Sequence, residues 1–120
     1  LCAWLAGEGP LTEPQQQLVE RVCHGFLCPS LGTMQDYAGW LTDSGLVVRE
    51  TNDWTRRVER TWELCIDRVR RSGVHGLARV IRSRTERFVA DFQTLLDAYR
   101  TGAMQYGCLV AEKPLDGVRA

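Results

Sequence analysis

The 120 residues predict an α/β fold, because short apolar segments typical of strands alternate with segments of helical period. Residues 1–5, 46–53 and 104–111 have the composition of strands. Between them, apolar residues recur every three or four positions, which is typical of amphipathic helices. The resulting order is strand, helix, helix, strand, helix, helix, strand. It predicts one domain, or one lobe of a larger domain.

The first two helices have recognisable ends. Thr12 is a predicted N-cap, with Gln15 completing a capping box, and this helix should end near residues 25–28. Thr33 is the predicted N-cap of the second helix, which Gly45 should stop. The side chains of the second helix expected to point inward are Tyr37, Trp40 and Leu41.

The third and fourth helices lie between the last two strands. The third should run from Thr55 to a stop at Ser72-Gly73, and the fourth has apolar residues from Leu77 to Tyr99 and ends at Gly102. Pro114 should end the last strand, which leaves residues 115–120 as a frayed tail.

Composition excludes several classes of protein. The apolar fraction of 44% is ordinary for a globular domain, and no run of 18 apolar residues could span a membrane. Five scattered cysteines fit a reducing cytoplasm better than a disulfide framework. Cys23, His24 and Cys28 offer three potential metal ligands, but a fourth is missing locally, so we predict no metal site.

The charge pattern indicates solvated helix faces rather than a nucleic-acid surface. The net charge is zero, and the arginines of the second half alternate with acids at nearly helical spacing. A phosphate or nucleic-acid site would have to use Arg79, Arg82, Arg84 and Arg87. Because these lack interleaved exposed aromatic residues, we predict no nucleic-acid partner.

Short motifs add a family resemblance. Trp4 lies near the end of the first strand segment, Asp36-Tyr37 lies on the second helix, Gly45-Leu46 ends that helix, and Asp53-Trp54-Thr55 lies at the end of the second strand. In this order they resemble the second half of a class I S-adenosylmethionine-dependent methyltransferase. Within that family the pattern is similar to the tocopherol and natural-product small-molecule branch.

The resemblance implies the C-terminal part of a Rossmann-like methyltransferase, with the fifth and sixth strands and an antiparallel seventh between them. Residues 1–114 would form the substrate-binding part, with a lid at about 10–32 and inserted helices at about 55–101. No G-x-G-x-G motif occurs here, so we expect no cofactor-binding residues in this chain. A missing upstream half would bind S-adenosylmethionine, and the isolated chain should be an inactive fragment.

The same resemblance implies candidate site residues. The carboxyl ends of the strands would place Trp4 and Trp54 at the ligand edge. The lid would cover a hydrophobic acceptor with Phe26, Leu27, Pro29 and Leu31. His24 is a candidate general base near the lid, although a surface histidine on an amphipathic helix is the simpler explanation.

The function expected is methyl transfer from S-adenosylmethionine to a hydrophobic or aromatic small molecule. The alternative is a noncatalytic helical interaction module, whose fourth helix docks a partner through its aromatic face. Cut from its parent sheet, the chain would expose a strand edge, which predicts a homodimer or a swapped assembly.

Overall fold

The computed structural model describes residues 1–71 and 84–115. The elements are β1 (Cys2–Ala6), α1 (Glu13–Gly25), α2 (Met34–Asp43), β2 (Val47–Asp53), α3 (Thr55–Arg71), α4 (Arg84–Arg100) and β3 (Met104–Glu112). Their types and order confirm the predicted α/β class. The stop expected at Ser72-Gly73, the first turns of the predicted fourth helix and tail residues 116–120 lie outside the described residues.

The three strands form one sheet in the order β1-β3-β2, and both neighbouring pairs are antiparallel. β1 and β2 therefore run parallel to each other, with their carboxyl ends at the same edge. The last strand lies between the two earlier ones, as the resemblance implies. A β-bulge between Val48 and Glu50 shifts the register of the β2–β3 pair.

The two faces of the sheet carry different helices. On one face, Trp4 lies opposite Tyr106 and Ala6 opposite Met104, beneath α1, α3 and α4. We call this the helical face. On the other face, Leu5 and Met34 of α2 close over Gly107, which has no side chain to separate them.

The core of the helical face joins the first and last helices to the start of β3. Its buried residues are Val22, Leu95, Ala98, Tyr99, Ala103 and Met104. Burying one such aliphatic side chain contributes about 1.5–3 kcal/mol, so this contact holds α1 against α4. Leu18 and Val19 of α1, and Phe26 at its end, pack against the same core.

Local hydrogen bonds fix the start of α1. The Thr12 amide donates to Gln15 Oε1 over 2.9 Å, which confirms the predicted capping box. Gln15 Nε2 also donates to the Thr101 carbonyl over 2.8 Å. The cap therefore ties α1 to the turn between α4 and β3.

Both ends of α2 follow the prediction. The Thr33 hydroxyl accepts from the Asp36 amide over 3.1 Å, and Asp36 Oδ2 accepts from the Thr33 amide over 2.8 Å. At the other end, Gly45 has a φ of 82°, and the Leu46 amide donates to the Leu41 carbonyl over 3.0 Å. This is a Schellman motif, in which glycine avoids the strain of a left-handed backbone.

The inward position predicted for Trp40 is wrong. Its side chain is 54% exposed, and its ring packs on Tyr37 with centroids 4.9 Å apart. Tyr37 and Leu41 are half-buried on the side of α2 that meets the sheet. Trp40 lies beside Tyr37 and Leu41 on the surface of the helix. Apolar spacing alone does not distinguish a core position from a neighbouring surface position.

Gly7 should not tolerate a side chain. A Cβ atom there would overlap the Gly102 carbonyl oxygen, which belongs to the backbone of the α4–β3 turn and cannot rotate away. We expect Gly7→Ala to lower the free energy of unfolding by about 1–3 kcal/mol, measured by urea denaturation. Gly39→Ala, inside α2 with nothing near the new Cβ, should stabilise by about 0.5–1 kcal/mol. Equal effects of the two changes would contradict this packing.

Asp36 should make stability depend on acid pH. The hydrogen bonds from the Thr33 amide and then the Thr33 hydroxyl lower the pKa of Asp36. Its stabilising effect is therefore present above the unfolded pKa of about 3.9 and is lost as pH falls through the lower folded pKa. Asp36→Asn should destabilise at pH 7 and lose that effect near pH 2, measured by urea denaturation at both pH values.

The matched control for this acid dependence is Asp43→Asn at the opposite end of α2. A carboxylate there opposes the helix dipole, so its removal should not destabilise at neutral pH. An Asp36→Asn effect that is the same at both pH values would show that the carboxylate does not act as a charged cap.

Candidate functional site

The carboxyl ends of β1 and β2 define the edge where an open α/β sheet binds its ligands. β1 ends at Ala6 and β2 at Asp53. The turn between α4 and β3 reaches the same edge, because the Gly7 amide donates to the Ala103 carbonyl over 2.9 Å. Three separate segments of the chain therefore meet at this edge.

Four aromatic side chains converge on the helical face. We call Trp4, Phe26, Trp62 and Phe92 the aromatic cluster; they come from β1, the end of α1, α3 and α4. Trp4 meets Phe26 edge-on at 5.1 Å, and Trp62 lies 5.3 Å from Phe92. Phe26 and Phe92 stack nearly parallel at 6.4 Å. Such pairs contribute about 0.5–1.5 kcal/mol each beyond area burial.

The exposure of the aromatic cluster separates it from an ordinary core. All four side chains are only half-buried, whereas the neighbouring Leu95 and Met104 are fully buried. Aromatic rings that remain partly accessible retain surface that a planar apolar ligand can cover. The aromatic cluster is therefore a candidate apolar ligand surface.

Tyr99 adds a buried hydroxyl to this region. Its side chain is 4% exposed, and its hydroxyl has no hydrogen-bond partner among the described residues. Burial raises the pKa of Tyr99 well above its usual value, Tyr106 adds to that rise, and Trp62 offsets part of it. The phenol is therefore neutral at physiological pH and would act as a hydrogen-bond donor or acceptor, not as a base.

The predicted site residues divide into two groups. The structure brings Trp4, Phe26 and Leu31 together, since all three pack against the core of the helical face. Leu27 is 90% exposed with a φ of 56°, and Pro29 is also exposed. Of the predicted lid residues, Phe26 and Leu31 therefore contribute to the apolar surface, whereas Leu27 and Pro29 are exposed to solvent.

Trp54 lies where the sequence places it, directly after β2. Its amide donates to the Tyr106 carbonyl over 2.8 Å, and the Arg57 guanidinium lies 5.6 Å from its ring centroid. A cation at this distance attracts the face of an indole ring. One side of the Trp54 ring is thus in contact with a neighbour of the same chain.

His24 is exposed and lines an open groove of about 610 Å³ between α1 and α4. The side chains of Glu20, Arg21 and Asp91 are among those that line it. No residue of the aromatic cluster lines it. His24 as a general base stays a prediction.

Sequence reasoning missed a second, polar pocket of about 550 Å³ at the carboxyl edge. Asp53, Arg56, Glu59, Arg100 and Gln105 are among the residues that line it. Asp53 Oδ1 accepts from the Thr55 amide over 2.9 Å, so this carboxylate caps the start of α3.

The two arginines of the polar pocket differ in their partners. Arg100 pairs with Glu63 at 2.6 Å, whereas Arg56 makes no ion pair in the described part of the chain. The one sequence signal for the pocket is that Arg56 directly follows the Asp53-Trp54-Thr55 motif.

Neither a metal centre nor a membrane span is present in the described part of the chain. Within residues 1–71 and 84–115, no three His, Cys, Asp or Glu side chains lie close enough to hold a metal ion. No helix described here is long and apolar enough to cross a membrane.

Comparison with known proteins connects this architecture to methyltransferases. The chain is 25% identical over 114 residues to the chloroplastic tocopherol O-methyltransferase of Arabidopsis thaliana, which confirms the predicted resemblance. It superimposes with a TM-score of 0.71 on Haemonchus contortus phospholethanolamine N-methyltransferase 2, with 16% identity over 95% of this chain. That structure contains phosphomonomethylethanolamine and S-adenosylhomocysteine. No family model matches the chain.

The fold is therefore that of part of a methyltransferase, consistent with a C-terminal, Rossmann-like portion. The similarity covers 92% of this chain but 32% of the Arabidopsis protein, and 26% of the Haemonchus chain. The chain thus spans about a third of the length of the curated relative that it matches.

Trp62 should carry more stability than an exposed tryptophan, because it contacts both Trp4 and Phe92. We expect Trp62→Ala to lower the free energy of unfolding by about 1–3 kcal/mol, less than the cost at a fully buried site. Trp40→Ala makes the same change at the exposed ring of α2 and should cost under about 1 kcal/mol. Urea denaturation of both variants measures the difference, and a larger cost at Trp40 would refute the assignment of Trp62 to the aromatic cluster.

Proposed function

We propose that this chain is the acceptor-binding, C-terminal part of a methyltransferase that moves a methyl group from S-adenosylmethionine to a hydrophobic or aromatic small molecule. The named activity of the Arabidopsis relative and the S-adenosylhomocysteine bound by the Haemonchus protein support the reaction class. Residues 1–114 would supply the substrate-binding part, with the lid at about 10–32 and the inserted helices at about 55–101.

The observation that carries the acceptor assignment is the half-buried aromatic cluster on the helical face of the sheet. Methyl transfer from a sulfonium requires mainly that the acceptor atom is aligned with the methyl group and that water is kept away. Trp4 and Phe26 would hold the flat side of an acceptor, while Trp62 and Phe92 of the inserted helices would close over it. Leu31 would extend this apolar wall.

The polar pocket suggests that the acceptor also has a polar end. Arg56 is exposed and has no ion-pair partner among the described residues, so it is available for an anionic or hydrogen-bonding group. Trp54 lies next to Arg57 at the same edge and would border this end of the acceptor. A molecule with an aromatic body and one polar substituent matches both surfaces.

The cofactor would be bound outside this chain. S-adenosylmethionine requires a glycine-rich turn for close backbone approach and an acidic residue for its ribose, and no G-x-G-x-G motif occurs in these residues. When bound, the cofactor supplies an already activated methyl group. The residues of this chain would bind and orient the acceptor and exclude water.

A noncatalytic interaction module remains the alternative function. It would use the aromatic face of α4, but Phe92 packs inward on Phe26 and Trp62, and Leu95, Leu96 and Tyr99 are buried. In the described part of α4, the aromatic side chains therefore contact other elements of this chain and do not form one outward docking face, which favours the enzyme.

Two further properties belong to the proposal. A homodimer or swapped assembly would use the outer edge of β1, which pairs only with β3 in the described sheet. A reducing compartment, which we take to be the cytoplasm, is supported by five cysteines that are all free thiols. The Arabidopsis relative is chloroplastic.

Calorimetric titration of S-adenosylhomocysteine into two proteins tests the reaction class. One is this 120-residue chain, and the other is the same chain extended upstream through a glycine-rich turn. We expect binding only by the extended protein, because the cofactor site needs residues outside this chain. Absence of binding by both would favour the interaction module.

The extended protein also tests the acceptor class. Production of S-adenosylhomocysteine would be measured with a prenylated phenol and with a phosphorylated amino alcohol. The aromatic cluster predicts a preference for the phenol, and Trp62→Ala should weaken it while Trp40→Ala should not. If the extended protein instead prefers the phosphorylated amino alcohol, and Arg56→Ala abolishes that preference, the acceptor bears a phosphate and the proposed hydrophobic acceptor is wrong.

A further inference from the structure

Two cysteines face each other across the β1–β3 pair. The strand register places Cys2 directly opposite Cys108, on the helical face of the sheet. At the neighbouring position, the Leu1 amino group donates to the Leu109 carbonyl over 2.9 Å, and the Leu109 amide donates to the Leu1 carbonyl over 2.8 Å. Leu1 and Leu109 are therefore a hydrogen-bonded pair.

Hydrogen-bonded and non-hydrogen-bonded pairs alternate along an antiparallel ladder, so Cys2 and Cys108 form a non-hydrogen-bonded pair. The Cα atoms of such pairs are typically about 4.5 Å apart, and their side chains approach more closely than in the other class. Disulfides span Cα distances of about 4.4–6.8 Å, so this position accepts a bridge near the short limit.

The two thiols differ in access to solvent. Cys2 is exposed, whereas Cys108 is 9% exposed. Burial raises the pKa of the Cys108 thiol, and contact with Cys2 raises it further. Because Cys2 is the accessible thiol, a dissolved disulfide reaches it first. The raised pKa of Cys108 lowers its thiolate fraction, so its reaction with the Cys2 sulfur depends on their opposition across the strand pair.

We propose that Cys2 and Cys108 form a reversible intramolecular disulfide, which makes this end of the sheet a modification site for glutathione disulfide. The Cys2 thiolate attacks one glutathione sulfur, forming a mixed disulfide and releasing one glutathione thiolate. The Cys108 thiolate then attacks the Cys2 sulfur and releases the second. The protein loses two electrons and two protons, and two molecules of reduced glutathione form.

The bridge would join two strands that are far apart in sequence. It closes the chain from residue 2 to residue 108, which restricts the unfolded chain more than a short loop does. It also fixes the register two residues from the place where Trp4 lies opposite Tyr106. Bridges that are exposed or near a geometric limit are readily reduced, so the modification is reversible.

A second thiol pair provides the competing outcome. The Cys28 amide donates to the Cys23 carbonyl over 2.9 Å. Burial raises the pKa of the Cys23 thiol, and the nearby Cys28 thiol raises it further. Both thiols are only half-buried. Any test must therefore identify which cysteines are joined, not only that thiols have been lost.

The test is incubation of the native 120-residue chain with glutathione disulfide, then alkylation, proteolysis without reductant, and mass spectrometry of the joined peptides. We expect a peptide pair linked through Cys2 and Cys108 that dithiothreitol separates. Cys23→Ser/Cys28→Ser/Cys65→Ser, which keeps only the proposed pair, should form the same bridge. The unfolding midpoint should rise on oxidation.

Cys2→Ser in that triple variant is the matched control, because it removes an exposed thiol and leaves Cys108 alone. It should form no intramolecular bridge, and its unfolding midpoint should not respond to glutathione disulfide. The proposal is overturned if Cys2 stops at the glutathione adduct. It is equally overturned if Cys23 and Cys28 are the only residues joined in the native chain, or if the Cys2–Cys108 link appears only after unfolding in urea.

Discussion

The structure depends on the insertion of β3 between β1 and β2. β3 is the only strand that pairs with either of the others in the described sheet, and it comes after both of them in the described part of the chain. The sheet therefore cannot form until residues 104–112 return to residues 2–6 and 47–53. Every backbone hydrogen bond between strands spans a long stretch of sequence, which makes this pairing entropically costly.

The helices are arranged around that pairing. α1 and α4 share a buried core with the start of β3, and α3 packs beside α4, so the described parts of these helices are held against the sheet. The aromatic cluster lies where these elements meet. Its rings come from four elements. Because they are only half-buried, they gain less stabilisation from burial than fully buried rings would, and they leave apolar surface on the helical face.

The likeness to methyltransferases and the geometry of the site are separate observations that agree. The comparisons with known proteins support the fold, and the sequence match covers about a third of the length of the Arabidopsis relative. The aromatic cluster and the polar pocket concern particular side chains of this chain. Together they support the proposal that these residues orient an acceptor and that the cofactor is bound elsewhere.

The sequence by itself determined the types and order of the elements and the ends of α1 and α2. The caps at Thr12 and Thr33 and the glycine stop at Gly45 were predictable, because each depends on hydrogen bonds between residues at most five positions apart. The Asp53 cap of α3 is local in the same sense.

Only the tertiary structure decided which distant side chains meet. Half of the aromatic cluster, Trp4 and Phe26, was predicted through the family resemblance, but its partners Trp62 and Phe92 were not assigned to a site. The exposure of Trp40 and the opposition of Cys2 and Cys108 were also beyond sequence reasoning. The reason is that strand register and helix packing are set by contacts remote in sequence, and a shift of one residue moves every side chain of a strand to the other face.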